Sequence, residues 1–416
     1  MLTHAIPARS AALAPAPIRA RPTGALRLSL LYAVVFVEIG IAMPFMPLWL
    51  GALGLDASII GLLLALPIAT RIVATAPLVG LIDRGVSART LLMAGSLGVA
   101  LTYGLMPAGA GLGWLLLAAL TVLNAVAAAP LVPSIDYLTL AAVRREPRLD
   151  YARIRLSGSV AFLAANMLGG ALLGALGEAL AVPLLLTGLA LIASLVAYAS
   201  RTVASASPTP PAGEARPRLP ARLWLCILAA ASIQASHAAI YGFGSLYWTA
   251  HGIATAWVGT LWAIGVGAEI VLFALIGLAP ARWRTPFRLL ALGGGAALLR
   301  SAGMTLYGTE LAMVIALQCL HGLTFGATQL GAMAAVSAFA PEGARGRAQG
   351  TLSAVNALAA ASATLLSGLA YRDGGALAFA LMAPLALAGL GLTLAASRAA
   401  RRPPAGPFGT AGPETL

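Results

Sequence analysis

Lysine is absent from this chain: all 26 basic residues are arginine. Acidic residues number only 13, and charged residues of both signs make up 9% of the chain. A soluble domain carries roughly 25% charged residues, so a water-soluble globule is excluded. Cysteine is nearly absent too. Cys226 and Cys319 both fall inside apolar runs, which excludes a disulfide framework and leaves a metal site short of ligands. The four histidines, His4, His237, His251 and His321, show no close metal-ligand spacing. No nucleophile, metal cluster or paired carboxylates gather at a water-accessible face, so an enzyme is not expected. With no lysine to follow it, the Gly293–Gly295 run reads as close-packing material rather than a phosphate loop.

Apolar sequence is what the chain has in abundance, at 60% of its residues. Runs bounded by charge or by Pro and Gly lie near 28–50, 58–82, 90–107, 113–140, 154–176, 180–200, 222–249, 256–279, 287–307, 311–339, 347–370 and 376–397. A helix of about 20 apolar residues crosses a hydrocarbon core. The fold class is therefore an all-α membrane protein with twelve transmembrane helices, called spans 1 to 12 below.

The arginines set its orientation. Arg84 and Arg89 follow span 2, Arg144, Arg145, Arg148 and Arg153 follow span 4, and Arg282 and Arg284 follow span 8. Arg345 and Arg347 follow span 10, and Arg398, Arg401 and Arg402 end the chain. The alternate connections, such as GALGLDAS and TAHGIA, carry none, and Arg372 alone breaks the pattern. By the positive-inside rule both termini and the middle loop are expected to be cytoplasmic, so topology rather than nucleic acid accounts for the net charge of +13. The Ala/Gly/Arg bias points to GC-rich bacterial DNA, hence the cytoplasmic (inner) membrane.

Residues 202–221 read as a flexible linker between two six-helix halves, 28–201 and 222–398, with disordered tails at 1–27 and 399–416. A weak echo links the halves: GLIDRGVSAR (80–89) with GLAPARWRTPFR (277–288), and YARIRLSGS (151–159) with GRAQGTLSA (346–354). Such repeats frame a central site between two halves.

Polar residues within the spans are the candidates for that site. At about 1.5 Å per residue, Glu269, Arg300 and His321 each fall roughly 15–20 Å into a core about 30 Å thick. They are expected to meet near the midplane, either as a proton-handling set or as a static ion pair with a satisfied histidine. Lost hydration favours the neutral acid, whereas a guanidinium nearby favours the carboxylate, so movement of Arg300 would load or release a proton. Glu38 and Arg71 share a depth in spans 1 and 2. Either they neutralise each other or Arg71 attracts a substrate carboxylate. Asn124, His237 and Tyr241 are added as candidate cavity residues, with helix-packing roles as the alternative. Asp136 with Arg153 and Arg155, and Asp83 with Arg84, read as ion pairs closing the cytoplasmic side in one state, or as loop anchors. The Pro-rich steps MPFMPLW, PIATRIVATAPLVG and APLVPSID would bend helices or free carbonyls.

Twelve spans in two halves, with Gly80, Asp83, Arg84 and Arg89 between spans 2 and 3, resemble the major facilitator superfamily. The strings MPFMPLWL (43–50), APLVPSID (129–136), LDYARIRLSGSVAF (149–162), HAAIYGFGSLYW (237–248) and VGTLWAIGVGAEIVLFAL (258–275) look like the 3-phenylpropionate permease group. That group is similar in turn to lactose permease and nucleoside–proton symporters. The resemblance covers residues 28–398 and maps the span 8 Glu, span 9 Arg and span 10 His of such symporters onto Glu269, Arg300 and His321. The lactose permease type has a second acidic residue one turn after that His, where this chain has Phe325 and Gly326. Glu38 stands where an uncharged or small residue is the family expectation. The resemblance implies a proton-coupled symporter of a small organic solute, an aromatic acid preferred. An exporting proton antiporter or a nucleoside or sugar symporter is the alternative. The expected partners are a small-molecule substrate and the lipid bilayer, with no nucleic acid. The protein is expected to act as a monomer with protons as coupling ion and no metal or other cofactor.

Overall fold

In hydrocarbon a backbone must satisfy its own N–H and C=O groups, so long apolar runs become helices. A computed structural model of the protein describes residues 23–146, 148–200, 218–341 and 344–401, and among these every regular element is helical. The twelve spans are Gly24–Ala52, Ala57–Val79, Ala88–Leu112, Trp114–Arg145, Arg153–Leu176, Ala181–Ala199, Ala221–Ala250, Thr255–Leu278, Pro286–Tyr307, Leu311–Phe339, Arg347–Asp373 and Leu377–Ala399. The expected linker lies mostly outside the described residues, as do most of both expected tails. The first helix begins at Thr23, inside the expected tail, and the last ends at Arg401.

The connections explain themselves locally. Gly54 adopts φ 73° in the turn after span 1, a conformation that an L side chain resists. Asp56 then caps span 2 by accepting from the Ser58 backbone N–H at 2.8 Å. Hydrogen bonds from Ser58 hold the Asp56 carboxyl below the usual carboxylate range. Ser87 caps span 3 in the same way, accepting from Thr90 N–H at 3.0 Å. Arg89 reaches the end of span 6, where Nε donates to Ala197 O at 2.9 Å and Nη2 to Tyr198 O. A cation there satisfies carbonyls that the helix leaves unpaired and complements its dipole.

Five spans are not continuous α-helix: span 8 ends in a 3-10 turn at Ile276–Leu278, span 12 is interrupted at Leu381, and the others are spans 4, 7 and 10. Span 4 divides at Ala129 and Pro130 into Trp114–Ala128 and Leu131–Arg145, because proline supplies no N–H to the ladder. Spans 1 and 2 run unbroken through Pro44 and Pro47, and through Pro67 and Pro77. Span 7 contains a π-helical turn at Ile240–Gly244 and span 10 another at Gly322–Ala327. Such turns are rare and gather at functional sites.

At the Arg-poor face the two halves meet on glycine. A methyl group added to Gly61 of span 2 would lie 2.8 Å from Gly368 Cα of span 11. One added to Gly259 of span 8 would lie 1.9 Å from the Asn166 carbonyl oxygen of span 5, beside Gly170. Small residues let helix backbones approach in lipid, where no hydrophobic force draws helices together. The Gly293–Gly295 run packs in part: Gly293 faces Thr328 and Gly294 faces Leu390, whereas Gly295 faces open space.

Candidate functional site

Glu269, Arg300 and His321 converge, as their depths imply, but in an order the sequence does not reveal. His321 lies between the other two. Its Nδ1 is 3.2 Å from Arg300 Nη1 and its Nε2 is 4.0 Å from Glu269 Oε2. A guanidinium N–H only donates, so Nδ1 accepts, and the imidazole proton sits on Nε2 toward the carboxylate. The expected direct approach of Arg300 to Glu269 is thus replaced by a relay through a neutral imidazole. Gly322 permits this, because a methyl there would meet the Ala268 carbonyl oxygen at 2.4 Å. Span 10 therefore lies directly on span 8 beside Glu269.

Arg300 is 3% exposed, and the described residues place no carboxylate within ion-pair distance of it. It is held by neutral groups instead. Nη2 donates to Gln318 Oε1, and Gln318 Nε2 donates to Leu261 O at 2.9 Å, tying spans 8, 9 and 10 together. Burying a charge costs several kcal/mol unless hydrogen bonds offset it, so this bracing is a condition of the site.

An aromatic cluster covers the relay. The Tyr241 ring lies 5.4 Å from Trp262, 5.5 Å from His237 and 6.1 Å from His321, centroid to centroid. His237 is 2% exposed and does not line the larger cavity, contrary to expectation. Its Nδ1 donates to Gln234 O at 3.0 Å and its Nε2 accepts from Thr324 Oγ1 at 2.8 Å, so both ring nitrogens are occupied within the bundle.

The larger cavity, about 350 Å³, lies beside span 1 and is lined mainly by the first half of the chain. Its apolar wall includes Met43, Met46, Trp49 and Met106, and its polar groups include Glu38, Arg71 and Asn124. Trp49 and Leu63 are buried toward the Arg-poor face, whereas Arg71 is exposed, so the cavity is closed at the first end and open at Arg71. An apolar cavity of about 150 Å³ accepts a benzene molecule, so 350 Å³ accommodates a ring with a short acidic chain. Tyr241 and Met43 line both this cavity and a gap of about 20 Å³ shared with Arg300, Gln318 and His321. These two side chains form the partition between cavity and relay.

Glu38 and Arg71 line the cavity without pairing. Glu38 is 7% exposed and accepts from the Tyr103 hydroxyl at 3.0 Å, and no ion pair joins it to Arg71. The Asn124 amide donates to Thr102 Oγ1 at 2.9 Å, which ties span 4 to span 3.

The expected gating pairs are not formed. Asp136 accepts from the hydroxyls of Tyr32 and Tyr151, the latter at 3.0 Å, and not from Arg153 or Arg155. Arg155 lies over the Phe36 ring at 4.3 Å, where an aromatic face attracts a cation as a carboxylate would. Arg153 makes an exposed contact of 3.8 Å with Asp150. Asp83 and Arg84 are exposed in the turn after span 2 without an ion pair. Asp136→Ala would remove the charged acceptor shared by the Tyr32 and Tyr151 hydroxyls, a loss of about 1.5–3 kcal/mol. A lowered melting temperature of the purified protein is expected, and unchanged melting would remove the clamp from the account.

Residues 25–381 match the MFS_1 like family. The chain belongs to that family. It is 32% identical over 329 residues to the probable 3-phenylpropionic acid transporter of Escherichia coli (strain K12), covering 75% of this chain and 82% of that protein. The solved nucleoside transporter NupG superposes with a TM-score of 0.77 at 15% identity, covering 92% of this chain and 100% of that one. An inward-facing, occupied bacterial homologue of the human lysosomal transporter Spinster gives 0.68 at 16% identity, covering 92% and 98%. At such identities the likeness speaks for the fold, which is the major facilitator fold. The protein is a multi-pass membrane transporter and not an enzyme.

Sequence reasoning about this transporter missed Tyr103, Gln318 and Thr324, the neutral partners of its buried charged and imidazole groups, and Trp262, which packs on Tyr241. Depth in a span was available for each, but nothing in the pattern singles out a neutral polar residue as a partner.

Proposed function

We propose that the transporter is a proton-coupled symporter importing a small aromatic carboxylic acid of the 3-phenylpropionate type by alternating access. The observation that carries this reading is the relay Glu269–His321–Arg300 lying behind Tyr241, which also lines the cavity. The cavity suits such an acid: its walls are apolar, it has room for a ring, and an unpaired guanidinium sits at its open end. Glu269 carries the proton, His321 transmits its charge state to Arg300, and Arg71 takes the substrate carboxylate. The transporter works as a monomer in the bacterial inner membrane, with both termini cytoplasmic, protons as coupling ion and no other cofactor. The arginine distribution supports that orientation.

Uptake of labelled 3-phenylpropionate into proteoliposomes, with and without an inward proton gradient, tests the reading. Accumulation driven by the gradient is expected; transport of the acid that ignores the gradient would refute the coupling. Arg71→Gln removes a charge-assisted contact worth about 1.5–3 kcal/mol, so the apparent KM should rise roughly 10- to 100-fold. An unchanged KM would take Arg71 out of the binding site.

A further inference from the structure

Glu38 is unusual among the buried groups of this transporter because it is both nearly inaccessible and part of the cavity wall. Its described hydrogen-bond partner is a neutral phenol, Tyr103 of span 3. Arg71 of span 2 faces it across the cavity, and Tyr241 of span 7 is the other titratable group on the lining. Span 4 contributes only the neutral Asn124 and Thr121 to this lining. Asp136 and Arg155, from spans 4 and 5, engage Tyr32 and Phe36 nearer the Arg-rich face. Spans 6 and 8 bring no charged side chain to the cavity lining.

The charge balance of the occupied cavity follows. An aromatic carboxylate seated on Arg71 would share an apolar space with Glu38. Two carboxylates cannot both stay ionised at close range in a poorly hydrated site, and the buried one yields its charge. We infer that Glu38 is a second proton site, within the substrate cavity, and that an anionic substrate binds only when Glu38 is neutral. This rests on the aromatic-acid reading above. The step is a simple protonation: Glu38 carboxylate takes one proton from the solution that delivers the substrate, and returns it to solution after the anion has left. Glu269 is separated from this event by the Tyr241–Met43 partition, so the two carboxyls are distinct sites.

Equilibrium binding of 3-phenylpropionate to the purified full-length protein tests this between about pH 5.5 and pH 8.5, a range in which the substrate itself remains ionised. Wild-type affinity is expected to fall toward a tenfold loss per pH unit at the alkaline end. Glu38→Gln, which is neutral at every pH, should bind with a flat profile, and Glu38→Asp should restore the slope. A flat wild-type profile overturns the inference even if Glu38→Gln fails to fold. An equal slope in wild type and Glu38→Gln overturns it while leaving the aromatic-acid reading intact. Absence of any binding by the wild type at every pH overturns both.

Discussion

Glu269→Gln abolishes gradient-driven accumulation, and net uptake with it, while exchange of labelled for unlabelled substrate continues. Glutamine fills the same space beside His321, so the packing of spans 8 and 10 survives. What disappears is the ability to ionise. The amide resembles the protonated acid, and a carrier fixed in that form reorients with substrate bound but does not return empty. A gradient of one pH unit is worth about 1.4 kcal/mol, or about tenfold accumulation for each coupled proton. Parallel flux and exchange assays on the same vesicles decide the matter, since uphill uptake by the variant would remove Glu269 from the coupling.

Gly259→Leu should abolish transport without unfolding the protein. The glycine faces the backbone oxygen of Asn166, not a side chain that can rotate away, and even a methyl would sit 1.9 Å from it. Overpacking typically costs about 1–3 kcal/mol, and in a two-state carrier that falls on the state closed at the Arg-poor face. The ratio of the two states then shifts by roughly 5- to 150-fold. A reporter cysteine at Met46, in a background with Cys319→Ser, should become accessible from the Arg-poor side in the Gly259→Leu variant. Normal uptake with unchanged labelling would show that the contact does not govern access.

Much of this architecture is legible in the sequence because lipid imposes simple rules. Helix length, arginine placement and rise per residue identify twelve spans and put Glu269, Arg300 and His321 at one level. Depth, however, says nothing about azimuth. His237 and Tyr241 are one turn apart and read alike, yet Tyr241 lines the cavity and His237 is spent on Thr324 and Gln234. The π-helical turns at Ile240–Gly244 and Gly322–Ala327 disturb the phase that an α-helical count assumes. The order Glu–His–Arg is also hidden, since three helices at one depth can interleave their side chains in several ways. The gate illustrates a different limit. Opposite charges near one helix end suggest ion pairs, but Tyr32, Tyr151 and Phe36 compete for the same groups and win.

The glycine seam between the halves carries a kinetic consequence. Most tight helix interfaces interlock side chains, and parting them releases rotamers that closing must freeze again. Where Gly61 meets Gly368 and Gly170 meets Gly259, there are no side-chain torsions to freeze. The seam therefore forms and parts with little entropic toll, like two smooth plates rather than a zip. The pace of the carrier's turnover is then left to events at the cavity, and not to the disentangling of this seam.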